Sequence, residues 1–140
     1  MSLSLKSALI ALSIASLGLT ALATTAEANG QVSIGINADK STDAGKALTI
    51  VDMVLANAPL GGSGNGAKIK QHGKNNAAGV KQKGHGNGTG IYQDCNGCST
   101  TVAQNGNNNS QGVLQFGQGA SSTVQQTGNN QAGLQMDFGF

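Results

Sequence analysis

Past residue 67 the chain alternates apolar and polar positions with a strict period. A β-branched residue recurs as Ile69, Val80, Ile91, Val102, Val113 and Val124, and two residues after each comes Gln71, Gln82, Gln93, Gln104, Gln115 or Gln126. Successive glutamines are eleven apart. Two residues beyond the glutamine stands Gly73, Gly84, Cys95, Gly106, Gly117 or Gly128, and five beyond it Asn76, Asn87, Cys98, Asn109, Ala120 or Gln131. β-branched residues favour strands. Glycine permits left-handed backbone and asparagine tolerates it, so "G-x-x-N" reads as a turn. Each unit is thus one strand and one tight turn, repeated six times without an insertion.

Short periods of this kind signal a solenoid. Two units make a strand-turn-strand rung of 22 residues. Rungs stack with a strand spacing of about 4.8 Å. Period-two alternation puts Asn76, Ala78, Val80 and Gln82 on one face, and Asn87, Thr89, Ile91 and Gln93 on the next. These residues would point inward, where an unpaired amide is costly. Stacked in register, a glutamine can bond the glutamines above and below, as amides do in cross-β stacks. Two inward ladders are expected, Gln71/Gln93/Gln115 and Gln82/Gln104/Gln126. A partial seventh unit, "LQMDFGF", starts at Leu134, one residue early, with Met136 where glutamine is due. It alternates Leu134, Met136, Phe138 and Phe140 onto one face.

The fold class expected is therefore all-β: a β-solenoid of 11-residue strand-turn units over residues 68–140, with a short strand and helix segment before it. Residues 1–28 read as a signal peptide. Lys6 precedes an uncharged run of apolar and small residues from Ala8 to Ala23, and Ala26-Glu27-Ala28 offers a cleavage site. Ala21-Leu22-Ala23 is the second choice. In residues 29–60, Val32, Ile34 and Ile36 alternate within Gln31 to Asn37 and predict a strand. Thr42 would cap a helix over Asp43 to Asn57, with Leu48, Val51, Val54 and Leu55 on one face and Pro59 past its end. Residues 61–67 read as a Gly-rich linker.

Composition changes the picture in one respect. Charged residues are 10% and aromatics 3%, and glycine, asparagine and glutamine fill the gap, a composition that ordinarily predicts disorder or prion-like behaviour. Regular spacing overrides that prediction. Net charge is +2 and every basic side chain is Lys, which gives no general nucleic-acid signature. His72 and His85 have no Ser, Cys or carboxylate constellation at matching positions, so no imidazole active site is read. A solenoid enzyme would need clustered acids or Arg, and no enzymatic activity or cofactor is assigned.

Cys95 and Cys98 replace the Gly and Asn of one turn together. In an exported chain a small disulfide is the expected role. A redox CxxC needs a βαβ context, and a metal site needs more ligands. Lys68, Lys70, Lys74, Lys81 and Lys83 make the first two units basic, and no Lys follows. They serve either solubility and edge protection or adhesion to anionic polysaccharide, lipopolysaccharide or nucleic acid. One sheet would carry Lys70/His72, Tyr92/Asp94 and Leu114/Phe116 on successive outer rungs. His72 is expected over Asp94 and Lys70 over Tyr92, with Leu114 and Phe116 as an exposed apolar patch. Ala120 stands where Asn is due, so "GQGASST" is expected to be the loosest turn.

The repeats resemble the curlin repeat of bacterial curli fibres, "Q-x-G-x-x-N-x-A" with another Gln eleven residues on. Here it stands as Gln71-His-Gly73-Lys-Asn-Asn76-Ala-Ala78, then Gln82; Ile91-Tyr92-Gln93 also has the curlin look. The resemblance covers Ala67 to Met136. The segment from Gly30 to Leu60 does not resemble the N-terminal export segment of the enterobacterial curlins. The resemblance implies a secreted subunit of a functional amyloid at the cell surface, adhesive and part of a biofilm matrix. It implies self-association, a nucleator and an outer-membrane secretion pore as partners. The alternative is a minor nucleator, anchor or adhesin that binds a surface without forming long fibres. In either case the solenoid's end rungs are expected to be left open, so that one subunit continues the sheets of the next.

Overall fold

The computed structural model describes residues 10–14, 19–24, 31–47 and 64–140. Its strands are β1 (Ile10–Ile14), β2 (Leu19–Thr24), β3 (Gln31–Asp39), β4 (Gly66–His72), β5 (Ala77–Lys83), β6 (Gly88–Asn96), β7 (Ser99–Asn105), β8 (Ser110–Gln118), β9 (Ser121–Thr127) and β10 (Gln131–Gly139). From β4 onward the chain alternates between two parallel sheets, β4-β6-β8-β10 and β5-β7-β9. This is a β-solenoid: three full turns, with β10 opening a fourth. The register is the sequence period doubled. Gln71 lies opposite Gln93 and Gln93 opposite Gln115, while Val80 lies opposite Val102 and Val102 opposite Val124. The first strand begins at Gly66, inside the segment expected to be linker.

The turns explain why the repeat keeps its length. Backbone φ is positive at Gly73, Gly84, Gly106, Gly117 and Gly128, and again two residues later at Asn75, Gly86, Asn108, Gly119 and Asn130. The left-handed asparagine is therefore the residue before the one expected. Asn76, Asn87 and Asn109 have another task, described below. At Gly106 (φ 138°) a Cβ would meet the carbonyl oxygen of Gly128 one rung on, so stacking as well as φ demands glycine. At Cys95 the strand instead runs on through Asn96.

The core between the sheets is narrow. Ile91, Val102 and Val113 are buried, with Ala78, Val80 and Val124 packed against them. Ile69, on the first rung with no described strand below it, stays 42% exposed. Outside the sheets, residues 43–47 are helical. Thr42 caps them as read from the sequence: its Oγ1 accepts the Gly45 N–H at 3.1 Å. Ala44, Ile36, Leu114 and Met136 pack against Ala38, Ala132 and Leu134 on the outer face of the long sheet. The rest of the expected helix, with Leu48, Val51, Val54, Leu55 and Pro59, lies outside the described residues.

The end of the stack differs from expectation. β3 lies antiparallel on β10, with Ile34 opposite Met136, and β2 and β1 continue outward from it. The tail of the solenoid is thus covered, not open. The seventh unit also keeps its register: Asp137 lies opposite Gln115, so Asp137, not Met136, stands in the glutamine position. The sequence pattern hid this because Leu134 and Met136 alternate on the outer face while the inner column passes through Gln135 and Asp137.

Candidate functional site

The inner face of each strand brings its glutamine into a continuous column. In the long sheet, Gln71 Nε2 donates to Gln93 Oε1 at 2.7 Å and Gln93 Nε2 to Gln115 Oε1 at 2.7 Å. In the short sheet, Gln82 Nε2 donates to Gln104 Oε1 at 2.9 Å and Gln104 Nε2 to Gln126 Oε1 at 2.8 Å. The second amide hydrogen ties the two sheets together. Gln93 donates to Ala77 O, Gln104 to Gly88 O, Gln115 to Ser99 O and Gln126 to Ser110 O. Gln93, Gln104, Gln115 and Gln126 are buried, so these bonds replace water. Gln71 and Gln82 sit on the first rung and remain accessible.

Both columns have the same direction, with donors pointing toward the C-terminal end. The long-sheet column ends on Asp137, which accepts from Gln115 Nε2 at 3.2 Å and from Gln135 Nε2 at 2.7 Å. Sequence reasoning missed Asp137 as a ladder member, although the eleven-residue count from Gln126 reaches it.

Asparagines stack the turns in the same manner. Asn87 Oδ1 accepts the Asn109 N–H at 3.1 Å while its Nδ2 donates to Gly106 O at 2.8 Å. Asn65 serves Asn87, Asn76 serves Cys98 and Asn109 serves Gln131. Asn96, Asn107 and Asn129 accept the N–H of Lys74, His85 and Asn107 from the preceding rung. This second row was legible as Asn three residues after Gln, a signal the turn argument did not use.

Cys95 and Cys98 are joined by a disulfide, and both pack against Ala120. Ala120, in the turn expected to be the loosest, is fully buried. An asparagine there would meet the sulfurs, so the alanine answers the disulfide one rung below.

Lys70, Lys74, Lys81 and Lys83 are exposed and Lys68 half-buried, all on the two strands of the first rung or their turn. Lys81 and Lys83 also line a groove of about 290 Å³ with Asn105, Gln125 and Thr127 on the outer face of the short sheet. On the long sheet, Lys70 lies opposite Tyr92 and His72 opposite Asp94. Two ring contacts run diagonally instead, His72 with Tyr92 at 5.8 Å and Tyr92 with Phe116 at 6.1 Å, while Phe116 stacks on the directly opposite Phe138 at 5.7 Å. The diagonal wins because an aromatic neighbour lets the ring bury its faces. Leu114 and Phe116 are accordingly half-buried, not an open patch.

A parallel β-solenoid whose inner faces are amide columns and whose turns are asparagine-stacked is a self-stacking structural module. The curlin associated repeat family matches residues 62–94, which span β4, β5 and β6 as far as Asp94. Residues 62–94 are thus similar to a curlin associated repeat, and the same eleven-residue pattern continues in register through β9. No curated protein and no solved structure matches the chain. Among the described residues there is no helix long and apolar enough to cross a membrane, and no cluster of metal-ligating side chains.

Proposed function

We propose that the chain is a structural subunit of an extracellular, curli-like amyloid fibre that serves cell-surface adhesion and biofilm formation. The observation that carries this reading is the pair of directed amide columns, exposed at the β4–β5 end. Any strand added there gains backbone bonds and inner amide bonds together. Residues 1–28, read as a signal peptide, would leave on export and take β1 and β2 with them. An outer-membrane pore and a nucleator are the partners that the curlin repeat suggests. Seven units place β10 and β4 in the same sheet but β9 one level lower. A stacked copy therefore keeps both sheets continuous only after a half-turn about the stack axis.

The test is whether the exported chain, alone or mixed with a second eleven-residue-repeat solenoid, enters dye-binding fibres with the cross-β spacing of about 4.8 Å. A chain that stays monomeric in both would refute it. The closed tail favours one second reading, a minor subunit, anchor or adhesin whose lysine-rich end meets an anionic surface. That reading expects a stable monomer that binds anionic polysaccharide or seeds another protein.

A further inference from the structure

The two ends of this solenoid are chemically different. At the head, no described residue pairs with the outer edges of β4 and β5, and among the described residues no preceding rung donates to Gln71 Oε1 or Gln82 Oε1. The head therefore offers acceptors along both columns, flanked by five lysines. At the tail, the edge of β10 is paired to β3 along its whole length. The Lys40 N–H bonds Asn130 O at 2.7 Å and fixes the even-numbered N–H groups of β3 toward β10. The edge of β9 has a smaller plug. Gln31 Oε1 accepts the Ser121 N–H at 2.8 Å, and its Nε2 donates to Ser121 O at 2.7 Å. One side-chain amide thus stands in for a strand on the next rung. Beneath β3 the long-sheet column ends on Asp137, whose two carboxyl oxygens accept from Gln115 Nε2 and Gln135 Nε2 and which has no amide hydrogen to pass on.

These facts decide what the head can bind. A second head brings five more lysines and faces acceptor with acceptor. The tail of a second copy, even with β3 removed, puts Asp137 under the Gln82 Oε1 of the stacked copy after the half-turn. That again faces two acceptors in a buried position, where an unmet hydrogen-bonding group is costly. The head is complementary to a tail that ends both columns in donating glutamines and carries no lysine.

We infer that this chain docks through its β4–β5 end onto the amide-donating tail of another eleven-residue-repeat solenoid and, its own tail being closed by β3, Gln31 and Asp137, ends the stack there. The inference rests on the fibre reading and names the partner and the limit of growth. The partner chemistry can be built from this chain. Asp137→Gln restores the donor, and Ile34→Pro removes a β3 bond to β10. The full-length double variant should polymerise by light scattering and dye binding. Wild-type full chain added at one part in twenty should bind those ends and cut the elongation rate at least fivefold, leaving shorter fibres by electron microscopy. Wild type that polymerises alone as fast as the double variant, or that joins its fibres without shortening them, overturns the stop while leaving the fibre reading intact. A double variant that keeps its β-sheet circular dichroism yet never polymerises overturns the fibre reading as well. If Ile34→Pro prevents folding, Asp137→Gln with Gln31→Ala serves the same comparison, with the same outcomes.

Discussion

Truncating one glutamine should cost very different amounts at different rungs, although the repeat makes the positions equivalent in sequence. Gln104 makes four bonds. It accepts from Gln82 Nε2 at 2.9 Å and Thr89 Oγ1 at 2.8 Å, and donates to Gln126 Oε1 at 2.8 Å and Gly88 O at 3.1 Å. It is 2% exposed. Gln104→Ala leaves those four partners facing a void in a narrow core. Net hydrogen bonds are worth about 0.5–1.5 kcal/mol each, and an orphaned buried group costs about 1–3. Some partners keep a second bond, as Gln82 Nε2 does to Gly66 O. A loss of about 3–5 kcal/mol is expected, a large fraction of a domain's usual 5–15. Gln71→Ala removes the bond to Gln93, at an exposed first-rung position where water can replace it. Its cost should stay under about 1 kcal/mol. Urea unfolding of both variants, followed by β-sheet circular dichroism under non-polymerising conditions, measures the difference. Equal losses within about 0.5 kcal/mol, a margin typical of additivity errors, would mean that the buried columns do not hold the rungs together.

Gly106→Ala should destabilise far more than Gly97→Ala, because a Cβ at Gly106 meets the Gly128 carbonyl while Gly97 has open space; thermal midpoints of the pair decide it. Reducing Cys95–Cys98, whose sequence separation is 3, should cost only about 2 kcal/mol by loop entropy, so the β-sheet signal should survive reductant. Ala120→Asn restores the repeat consensus yet should destabilise by about 1–3 kcal/mol, since the site is filled by the disulfide; equal stability would show room at that turn. The Asp39 carboxyl is held below its ordinary value by the backbone and hydroxyl of Ser41. Its contribution is therefore complete above the usual carboxylate range and fades as pH falls through the lower folded value, which the Ser41 amide resonance should report.

The solenoid was legible because its period carries two signals at once. Ile/Val two residues before Gln says strand and inward face, and eleven-residue spacing says stacking. That sufficed to place Gln93 beside Gln115 and Val102 beside Val124. The turns were legible in place but not in mechanism. Asn76 looks like a left-handed turn residue, yet Asn75 is the residue with φ 58°, and Asn76 spends its amide on Cys95 O and the Cys98 N–H. What the sequence withheld was everything non-periodic. Gln31 contacts Ser121 across 90 residues, and no local pattern announces such a pairing. Asp137 sat in register all along, but the apolar alternation of Leu134 and Met136 drew attention to the opposite face.

Why a tethered strand should hold the tail against another molecule follows from concentration, not from better bonds. β3 and a stacked strand would use the same β10 backbone groups, so their gross pairing energies are similar. A strand on the same chain, however, acts at an effective concentration of order millimolar. A competitor at about 1 μM is at a thousandfold disadvantage, close to 4 kcal/mol. Sheet edges left bare are an aggregation hazard, and proteins block them with charge or with covering segments. Here each end receives one of those remedies: lysines at β4–β5, β3 at β10. The lysines repel only like-charged ends and leave the backbone edge free, whereas β3 occupies the edge itself. A remedy by charge is selective and a remedy by pairing is not, so the same chain is open to a suitable neighbour at its head and shut at its tail.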